Sequence, residues 1–163
     1  MQGTRARSFQ LVDIPGHPRV RHKYEKYMKS VRGVVFVLDA TEASFLSQRT
    51  ETAEQLMDAV TCLAGPKRGL RLCVACNKAD HGPKAHTVDF IRKRLEKEIE
   101  QLRTTRKTLG EESNVGALGP DAQPFSFEGM QKARRWQTQF VSVSALEGEV
   151  GPVAEFIKKA VPL

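Results

Sequence analysis

The stretch Leu72–Asp80, with the sequence LCVACNKAD, decides the fold because an apolar run ends there abruptly in polar residues. Leu72–Cys76 carries no charged side chain, which predicts a strand buried on both faces, as in a parallel sheet. Asn77, Lys78 and Asp80 follow at the carboxyl end of that strand, the edge where open α/β sheets bind ligands. The sequence therefore predicts a binding loop directly after a buried strand.

This loop has the groups that recognise guanine. The carboxylate of Asp80 can accept two parallel hydrogen bonds from the N1–H and the exocyclic amine of guanine, whereas adenine has no matching pair of donors. The methylene stem of Lys78 can cover the base, and Asn77 can link the loop to a neighbouring one. The alternative is a polar turn in which Asn and Asp bond their own backbone.

A second motif follows Ser8–Ile14, which has the pattern of a strand. One interpretation of Asp13–Gly16, DIPG, is a tight turn with Pro and Gly at its centre. The other is a phosphate-sensing loop, in which Asp13 holds Mg²⁺ through a water and the Gly16 N–H reaches a γ-phosphate without obstruction by a side chain. His17 would then stand beside the attacking water.

Ser144 and Ala145 form a third motif, between a strand predicted at Gln139–Val143 and a helix predicted at Pro152–Val161. The backbone N–H of Ala145 can bind guanine O6 and reject adenine, whose 6-amino group is a donor. Ser-Ala alone is a very weak indication of guanine binding. Its position, after the last predicted strand and before the last predicted helix, is what makes it relevant.

The rest of the periodicity alternates between helix and strand. Helices with one apolar face are predicted at Pro18–Val31, Phe45–Ala64 and Thr87–Lys107, and a buried strand is predicted at Val34–Asp39. This alternation predicts an α/β fold with a mostly parallel sheet flanked by helices. Leu109–Pro124 lacks periodicity, which predicts a mobile loop at 109–124.

The composition predicts one globular domain over residues 1–163. The chain is 40% hydrophobic and 28% charged, and no apolar run is longer than Val34–Leu38, which is far shorter than a membrane span. The net charge is +7, of which residues 1–38 carry +6. The basic residues of this region are not interleaved with a stacking set of aromatic residues, and no zinc or helix-turn-helix signature appears. This favours a solvated face, or a surface for an acidic protein partner, over nucleic acid binding.

The cysteines and histidines do not predict a metal or redox site. Cys73 and Cys76 spell C-x-x-C, but in a strand their side chains point to opposite faces and cannot share zinc. We therefore expect core thiols in a reducing compartment. His81 and His86 have no partners at metal-ligand spacing and are predicted to be surface residues.

The three motifs, each at the end of a separate strand, occur in the order found in Ras-like GTPases. The sequence also resembles the β-subunit family of the signal recognition particle receptor, within the Ras/Arf-like small GTPases, from roughly Phe9 to the C-terminus. The residues that carry this resemblance are DIPGH (Asp13–His17), CNKAD (Cys76–Asp80), the helix RKRLEKEIEQLRTTR (Arg92–Arg106) and the later FSF (Phe125–Phe127). The helix is the most discriminating part, because Arf and Sar GTPases share the nucleotide motifs and lack it.

The resemblance implies a Ras-like P-loop GTPase fold that binds GTP or GDP with Mg²⁺. Asp13 would sense Mg²⁺ through a water, and Gly16 would sense the γ-phosphate. Hydrolysis of GTP would be weak or dependent on a partner, with His17 as the catalytic candidate. The residues that would recognise guanine are Asn77, Lys78, Asp80, Ser144 and Ala145.

The resemblance also implies a cellular setting. Proteins of this family lie on the cytosolic face of the endoplasmic reticulum membrane through an N-terminal transmembrane helix. In the GTP form they bind the α subunit of the receptor and help target ribosomes, near the translocon, for co-translational protein targeting. Contact with the membrane would use a segment that is absent from this sequence.

One family feature is missing from the sequence: the phosphate loop G-x-x-x-x-G-K-[ST], with its first strand and first helix. Gly65–Gly69 does not match it. Four lost charge-assisted hydrogen bonds would cost at least about 6 kcal/mol, or on the order of 10⁴ in affinity. The missing strand would lie between the Ser8 and Val34 strands, so two strand edges would stay unpaired. We therefore expect the chain to be the C-terminal part of a longer protein or an incomplete gene product.

Two other functions fit the sequence less well. The absent phosphate loop favours a nucleotide-free pseudo-GTPase that acts as an interaction scaffold. The N-terminal charge favours a basic RNA-binding module, which we rank last. Binding of guanine nucleotides separates the leading hypothesis from the scaffold, and a salt-sensitive RNA complex would support the third.

Overall fold

The computed structural model describes residues 9–16, 25–28, 30–63, 70–110, 118, 123–132 and 136–161. The elements, in chain order, are α1 (Glu25–Met28), β1 (Gly33–Asp39), α2 (Glu42–Leu63), β2 (Leu70–Asn77), a 3₁₀ segment (Ala79–Lys84), α3 (Val88–Thr108), α4 (Phe127–Lys132), β3 (Trp136–Ser142) and α5 (Gly151–Ala160). None of the helices in these residues is long and apolar enough to cross a membrane.

The described strands form a parallel sheet in the order β1-β2-β3. Asp39 at the end of β1 pairs with Asn77 at the end of β2, and Cys76 pairs with Ser142 of β3. The central strand β2 is fully buried over Leu72–Cys76, so the prediction of a buried parallel strand there is confirmed. Because the strands are parallel and their ends are in register, their carboxyl ends lie at the same edge of the sheet.

The two faces of the sheet are covered by different helices. Leu72, Val74 and Cys76 join the hydrophobic core formed with α2, α3 and α4. On the other face α5 lies so close to β1 that a Cβ on Gly33 would be 3.0 Å from the Cβ of Ala160. A side chain at this position would require Ala160 and Phe156 to shift by a few tenths of an ångström, so glycine favours the close approach.

Cys73 and Cys76 are buried free thiols, which confirms the interpretation of the C-x-x-C sequence. Burial raises the pKa of the Cys76 thiol to about 12. Burial also raises the pKa of Cys73, although a hydrogen bond from Gln139 opposes that shift. Both thiols are therefore protonated at neutral pH and unreactive.

Two strand predictions need correction. Strand β1 was expected to be buried, yet it is mostly half-buried and Val37 is 61% exposed. It is an outer strand of the described sheet, so its apolar run is covered less completely than that of β2. The segment predicted as a strand at Ser8–Ile14 has neither strand nor helix from Phe9 onward. An extended sequence pattern makes a strand only beside a partner, and none of the described strands pairs with this segment.

The predicted helices are largely confirmed where the structure describes them. Helix α2 begins three residues before the predicted start, and α3 matches its predicted bounds to within one residue. The Thr87 hydroxyl caps α3 by accepting a hydrogen bond from the Phe90 N–H at 3.3 Å,. The predicted helix at Pro18–Val31 lies mostly outside the described residues; α1 is its described part, and Ser30 already lies in a turn.

His86 is the third correction, because it is partly buried and not freely exposed. Its ring stacks on Phe90 with the centroids 4.2 Å apart and meets Phe45 edge-on at 5.8 Å. Its Nε2 is buried without a hydrogen-bond partner among the described residues. His81 is exposed as predicted. The packing of α2 against α3 accounts for the difference, since it brings the two phenylalanines together around His86.

Carboxylates of α3 fix the chain segment that precedes α4. Glu96 accepts a hydrogen bond from the Phe127 N–H at 3.0 Å, and Glu100 accepts one from the Phe125 N–H at 2.8 Å. Arg103, whose side chain is 4% exposed, pairs with Glu100 at 2.8 Å and donates to the Gln123 carbonyl at 2.8 Å. Most of the predicted loop at 109–124 lies outside the described residues, but Leu118 within it is buried in the core.

Candidate functional site

The candidate site lies at the carboxyl edge of the sheet, where the polar residues after all three described strands meet. The Ala40 N–H donates to the Asn77 carbonyl at 2.9 Å, and the Ala79 N–H donates to the Val143 carbonyl at 3.1 Å. These backbone bonds tie the β2 loop to the chain after β1 on one side and after β3 on the other. The loop is therefore fixed from both sides before any side chain contributes.

Asn77 links the β2 loop to the β3 loop, as predicted. Its Oδ1 accepts a hydrogen bond from the Ala145 N–H at 3.0 Å. This is the N–H that the sequence assigned to guanine O6. To contact a base as well, it must be shared between the Asn77 oxygen and the ligand. The β2 loop and the β3 loop are thus held together, so a ligand at this edge would contact both.

Asp80 is held by Ser144, which is fully buried. The Ser144 hydroxyl donates to Asp80 Oδ1 at 2.6 Å, and this hydrogen bond is the main cause that lowers the pKa of the Asp80 carboxyl. The carboxylate is therefore ionised at neutral pH. Its other oxygen, Oδ2, lies 3.8 Å from His81 Nε2, beyond hydrogen-bond distance. Asp80 is thus an oriented acceptor.

Lys78 has a left-handed backbone, with φ 71° and ψ 35°. It is the one non-glycine residue with positive φ among the described residues, and this conformation is unfavourable for a residue with a long side chain. Its ammonium lies 2.7 Å from Asp39 Oδ2, at the end of β1. From one loop, therefore, Lys78 reaches toward β1 while Asp80 bonds to the β3 loop.

Asp39 is a site residue that the sequence analysis missed. Its Oδ1 accepts hydrogen bonds from both the N–H of Thr41, at 2.9 Å, and the hydroxyl of Thr41, at 2.7 Å. Its Oδ2 accepts the bond from Lys78. A sequence signal existed, since Asp39 ends an apolar strand just as Asn77 does. What the sequence did not show was the register that sets these two residues side by side.

The ionised Asp39 carboxylate is predicted to stabilise the fold at neutral pH and to lose this effect in acid. Burial disfavours the charged form, but hydrogen bonds from Lys78 and Thr41 outweigh it and lower the pKa from 3.8 to about 2. The stabilisation is therefore fully present above the unfolded value and is lost as the pH falls through the folded value. We expect Asp39→Asn to reduce the free energy of unfolding by about 1 kcal/mol at neutral pH, after allowance for solvent screening.

Urea unfolding of both proteins from neutral pH downward checks this expectation. The difference between wild type and variant should shrink as the pH approaches the folded pKa of about 2. A difference that stays constant across this range would show that Asp39 contributes by packing and not by charge.

The phosphate-sensing residues are only partly described. Gly16 lines a cleft of about 250 Å³ that Phe36, Asp39 and Phe45 also line, so the structure brings it to the β1 end of the site. Asp13 is exposed, and His17 lies outside the described residues. Within the described part of the chain, no three His, Cys, Asp or Glu residues are grouped as metal ligands. The Mg²⁺ role of Asp13 and the catalytic role of His17 thus stay predictions.

Comparison with known proteins agrees with this architecture. The family profile described as signal recognition particle receptor beta subunit matches residues 2–133. The human signal recognition particle receptor subunit beta is 32% identical over 159 residues, which cover 93% of this chain and 56% of the human protein. The chain thus spans about half the length of the curated relatives that it matches.

Solved structures support the same conclusion about the fold. A structure of the mammalian SRP receptor superposes with a TM-score of 0.80 at 27% identity, covering 98% of this chain and 78% of that chain. The SRb–GDP structure from Chaetomium thermophilum superposes with a TM-score of 0.78 at 22% identity, covering 92% and 78%, which concerns the fold alone. The parallel sheet, the order of its motifs and the matched profile together show that the chain belongs to the signal recognition particle receptor beta subunit family.

Proposed function

We propose that this chain supplies the guanine-recognising part of a GTP-binding β subunit of the signal recognition particle receptor. The observation that supports this most directly is the Asp80 carboxylate, ionised and fixed by the Ser144 hydroxyl at 2.6 Å. A fixed carboxylate can accept from the N1–H and the exocyclic amine of guanine together. Adenine has no such pair of donors, so the arrangement favours guanine.

The neighbouring groups fit a planar base. The stem of Lys78 can cover one face of it, because the ammonium is held at its far end by Asp39,. The Ala145 N–H can be shared with O6 while Asn77 keeps the two loops together. In this proposal the base is bound by Asn77, Lys78, Asp80, Ser144 and Ala145.

The phosphates would lie toward the β1 end of the same edge. Gly16 lines the cleft next to Asp39, and a glycine N–H is open to a phosphate oxygen. Asp13 would hold Mg²⁺ through a water, and His17 would stand near the attacking water. Bound GTP with Mg²⁺ would supply the phosphoryl group. Hydrolysis is proposed to be weak or partner-dependent, because the sequence has no G-x-x-x-x-G-K-[ST] segment.

The proposed partner is the α subunit of the receptor, bound in a GTP-dependent way for co-translational protein targeting. Membership of the family and the likeness to the mammalian SRP receptor support this assignment. The proposed location is the cytosolic face of the endoplasmic reticulum membrane, near ribosome and translocon. The proposed membrane contact uses a segment outside this sequence.

Titration of the chain with GDP and with ADP, up to millimolar concentrations, tests the proposal. Two hydrogen bonds to a carboxylate are worth about 1.5–3 kcal/mol each, so GDP should bind on the order of 10² to 10⁴ times more tightly than ADP. Calorimetry or ligand-observed NMR measures both affinities. Equal affinity for the two nucleotides, or no binding of GDP, would contradict the proposal and favour the nucleotide-free scaffold.

A further inference from the structure

The pair of Asp39 and Lys78 has a role that goes beyond stabilising the loop. Lys78 and Asp80 carry opposite charges two residues apart in one loop, so the Lys78 ammonium is the cation nearest in sequence to the carboxylate that would accept guanine. In the structure that ammonium lies 2.7 Å from Asp39 instead. We propose that Asp39 is a positioning residue that keeps the Lys78 ammonium away from Asp80, so that the Asp80 carboxylate stays open to guanine. This inference rests on the proposed function.

Asp39 is itself fixed before it meets Lys78. Both bonds from Thr41 fall on Oδ1, one from the backbone and one from the hydroxyl. They leave Oδ2 aimed along the edge of the sheet, where it accepts the Lys78 ammonium. The register of β1 against β2 places Asp39 directly beside Asn77, one residue before Lys78. The anchor is therefore part of the sheet and not of a loose loop.

Lys78 needs such an anchor because of its own freedom. Its side chain is 50% exposed, and a lysine stem has many rotamers in water. With the ammonium held by Asp39, fewer rotamers of the stem remain accessible, so less freedom is lost when the stem covers a base. Asp80 meanwhile bonds Ser144 of the β3 loop with Oδ1. The two side chains thus bond to opposite sides of the β2 loop, Lys78 to the end of β1 and Asp80 to the β3 loop.

Without the Asp39 charge, the ammonium has a competing partner close by. Asp80 Oδ2 faces only the exposed His81 at 3.8 Å among the ion pairs of the described residues. An ammonium that bonds to this oxygen would occupy the acceptor that the guanine amine needs. Thr41 and the backbone would still hold residue 39 in place after an amide replacement, because an asparagine oxygen can accept both Thr41 bonds.

The test is a double-mutant cycle on Asp39 and Lys78 with GDP as the probe. Asp39→Asn should weaken GDP binding about three- to tenfold, as expected when one long side chain loses its fixed position. Lys78→Met keeps an unbranched apolar stem and removes the ammonium. In that background Asp39→Asn should change GDP affinity little, because no cation remains to occupy Asp80. Asp58→Asn is the matched control, since Asp58 pairs with Arg106 on α3, away from the site.

A second measurement does not depend on nucleotide. NMR titration of the Asp80 carboxyl carbon should give a lower pKa in Asp39→Asn than in wild type, because the ammonium then pairs with Asp80, and no such decrease in the Lys78→Met background. If Asp39→Asn lowers thermal stability too far for binding measurements, Thr41→Val takes its place. It removes one of the two bonds to Oδ1 and should shift both readouts in the same direction by less.

The results of these experiments distinguish the proposed nucleotide binding from the proposed positioning role of Asp39. No GDP binding by the wild-type chain contradicts the proposed function, and the Asp80 titration then still decides whether Asp39 keeps the ammonium away. GDP binding that Asp39→Asn and Asp58→Asn leave equally strong overturns the positioning role alone. A loss of affinity that persists in full in the Lys78→Met background overturns it too, because Asp39 would then act through the structure of the edge and not through Lys78.

Discussion

Replacement of Asp80 by Asn is expected to reverse the base preference of the site from guanine to xanthine. An asparagine keeps one carbonyl oxygen, which can accept both the Ser144 hydroxyl and an N1–H, but it presents an NH₂ group to the exocyclic amine of guanine. Both groups are hydrogen-bond donors, so no hydrogen bond can form between them. With two charge-assisted bonds weakened or lost, the affinity for GDP should fall by on the order of 10² to 10⁴.

Xanthosine diphosphate has a carbonyl oxygen where guanine has the amine, so the new NH₂ group finds an acceptor there. We expect Asp80→Asn to bind this nucleotide more tightly than the wild-type chain does, whose carboxylate repels that oxygen. Competition titrations with both nucleotides measure the exchange. Asp89→Asn is the control, since it makes the same chemical change at a side chain that is 76% exposed and paired with Arg92. Unchanged GDP affinity in Asp80→Asn would remove Asp80 from the base site.

Arg103 is expected to give a large loss of stability when it is replaced by Ala. The guanidinium is almost wholly buried and serves both Glu100 and the Gln123 carbonyl. Its removal takes one donor from the Gln123 carbonyl, leaves the Glu100 carboxylate with the Phe125 N–H but without its cation, and opens a cavity beside α3. Removing one partner of a fully buried ion pair costs about 3–5 kcal/mol. Because the Glu100 side chain is 33% exposed, we expect the low end of that range, a decrease of about 3 kcal/mol in the free energy of unfolding.

Arg92→Ala on the same helix is the matched comparison. Arg92 also pairs with an acidic residue three positions away, Asp89, but at the surface, where such pairs contribute about 0–1 kcal/mol. Urea unfolding of both variants measures the two losses under the same conditions. Equal small losses would show that the chain before α4 is not held by Arg103.

The central part of the fold could be predicted because its signals are local. The apolar run Leu72–Cys76 and the polar residues after it identify β2 and its loop without reference to any other segment. The stripe of Ile91, Leu95 and Ile99 does the same for α3, and all three residues are buried. Parallel strands then require that the ends of β1, β2 and β3 meet, which is why the contact between the β2 and β3 loops could be predicted.

The features that escaped prediction depend on distant contacts. The role of Asp39 follows from its register beside Asn77, which no pattern within β1 contains. His86 is partly buried because α2 and α3 bring Phe45 and Phe90 to it. The segment from Phe9 to Ile14 has the composition of a strand, but ladder hydrogen bonds require a neighbour that composition does not provide. That the assembled site binds guanine stays a prediction from chemistry.

The site can form only when β1 pairs with β2 in the register that places Asp39 beside Asn77. A slip of β1 by one residue would turn Asp39 to the opposite face of the sheet and separate it from Lys78. A misfolded chain with a slipped strand would thus lose the anchor of its proposed binding loop while keeping most of its secondary structure. A ligand that binds only the correct register would draw the population toward it by mass action, so the proposed nucleotide would also stabilise the correct pairing of β1 with β2.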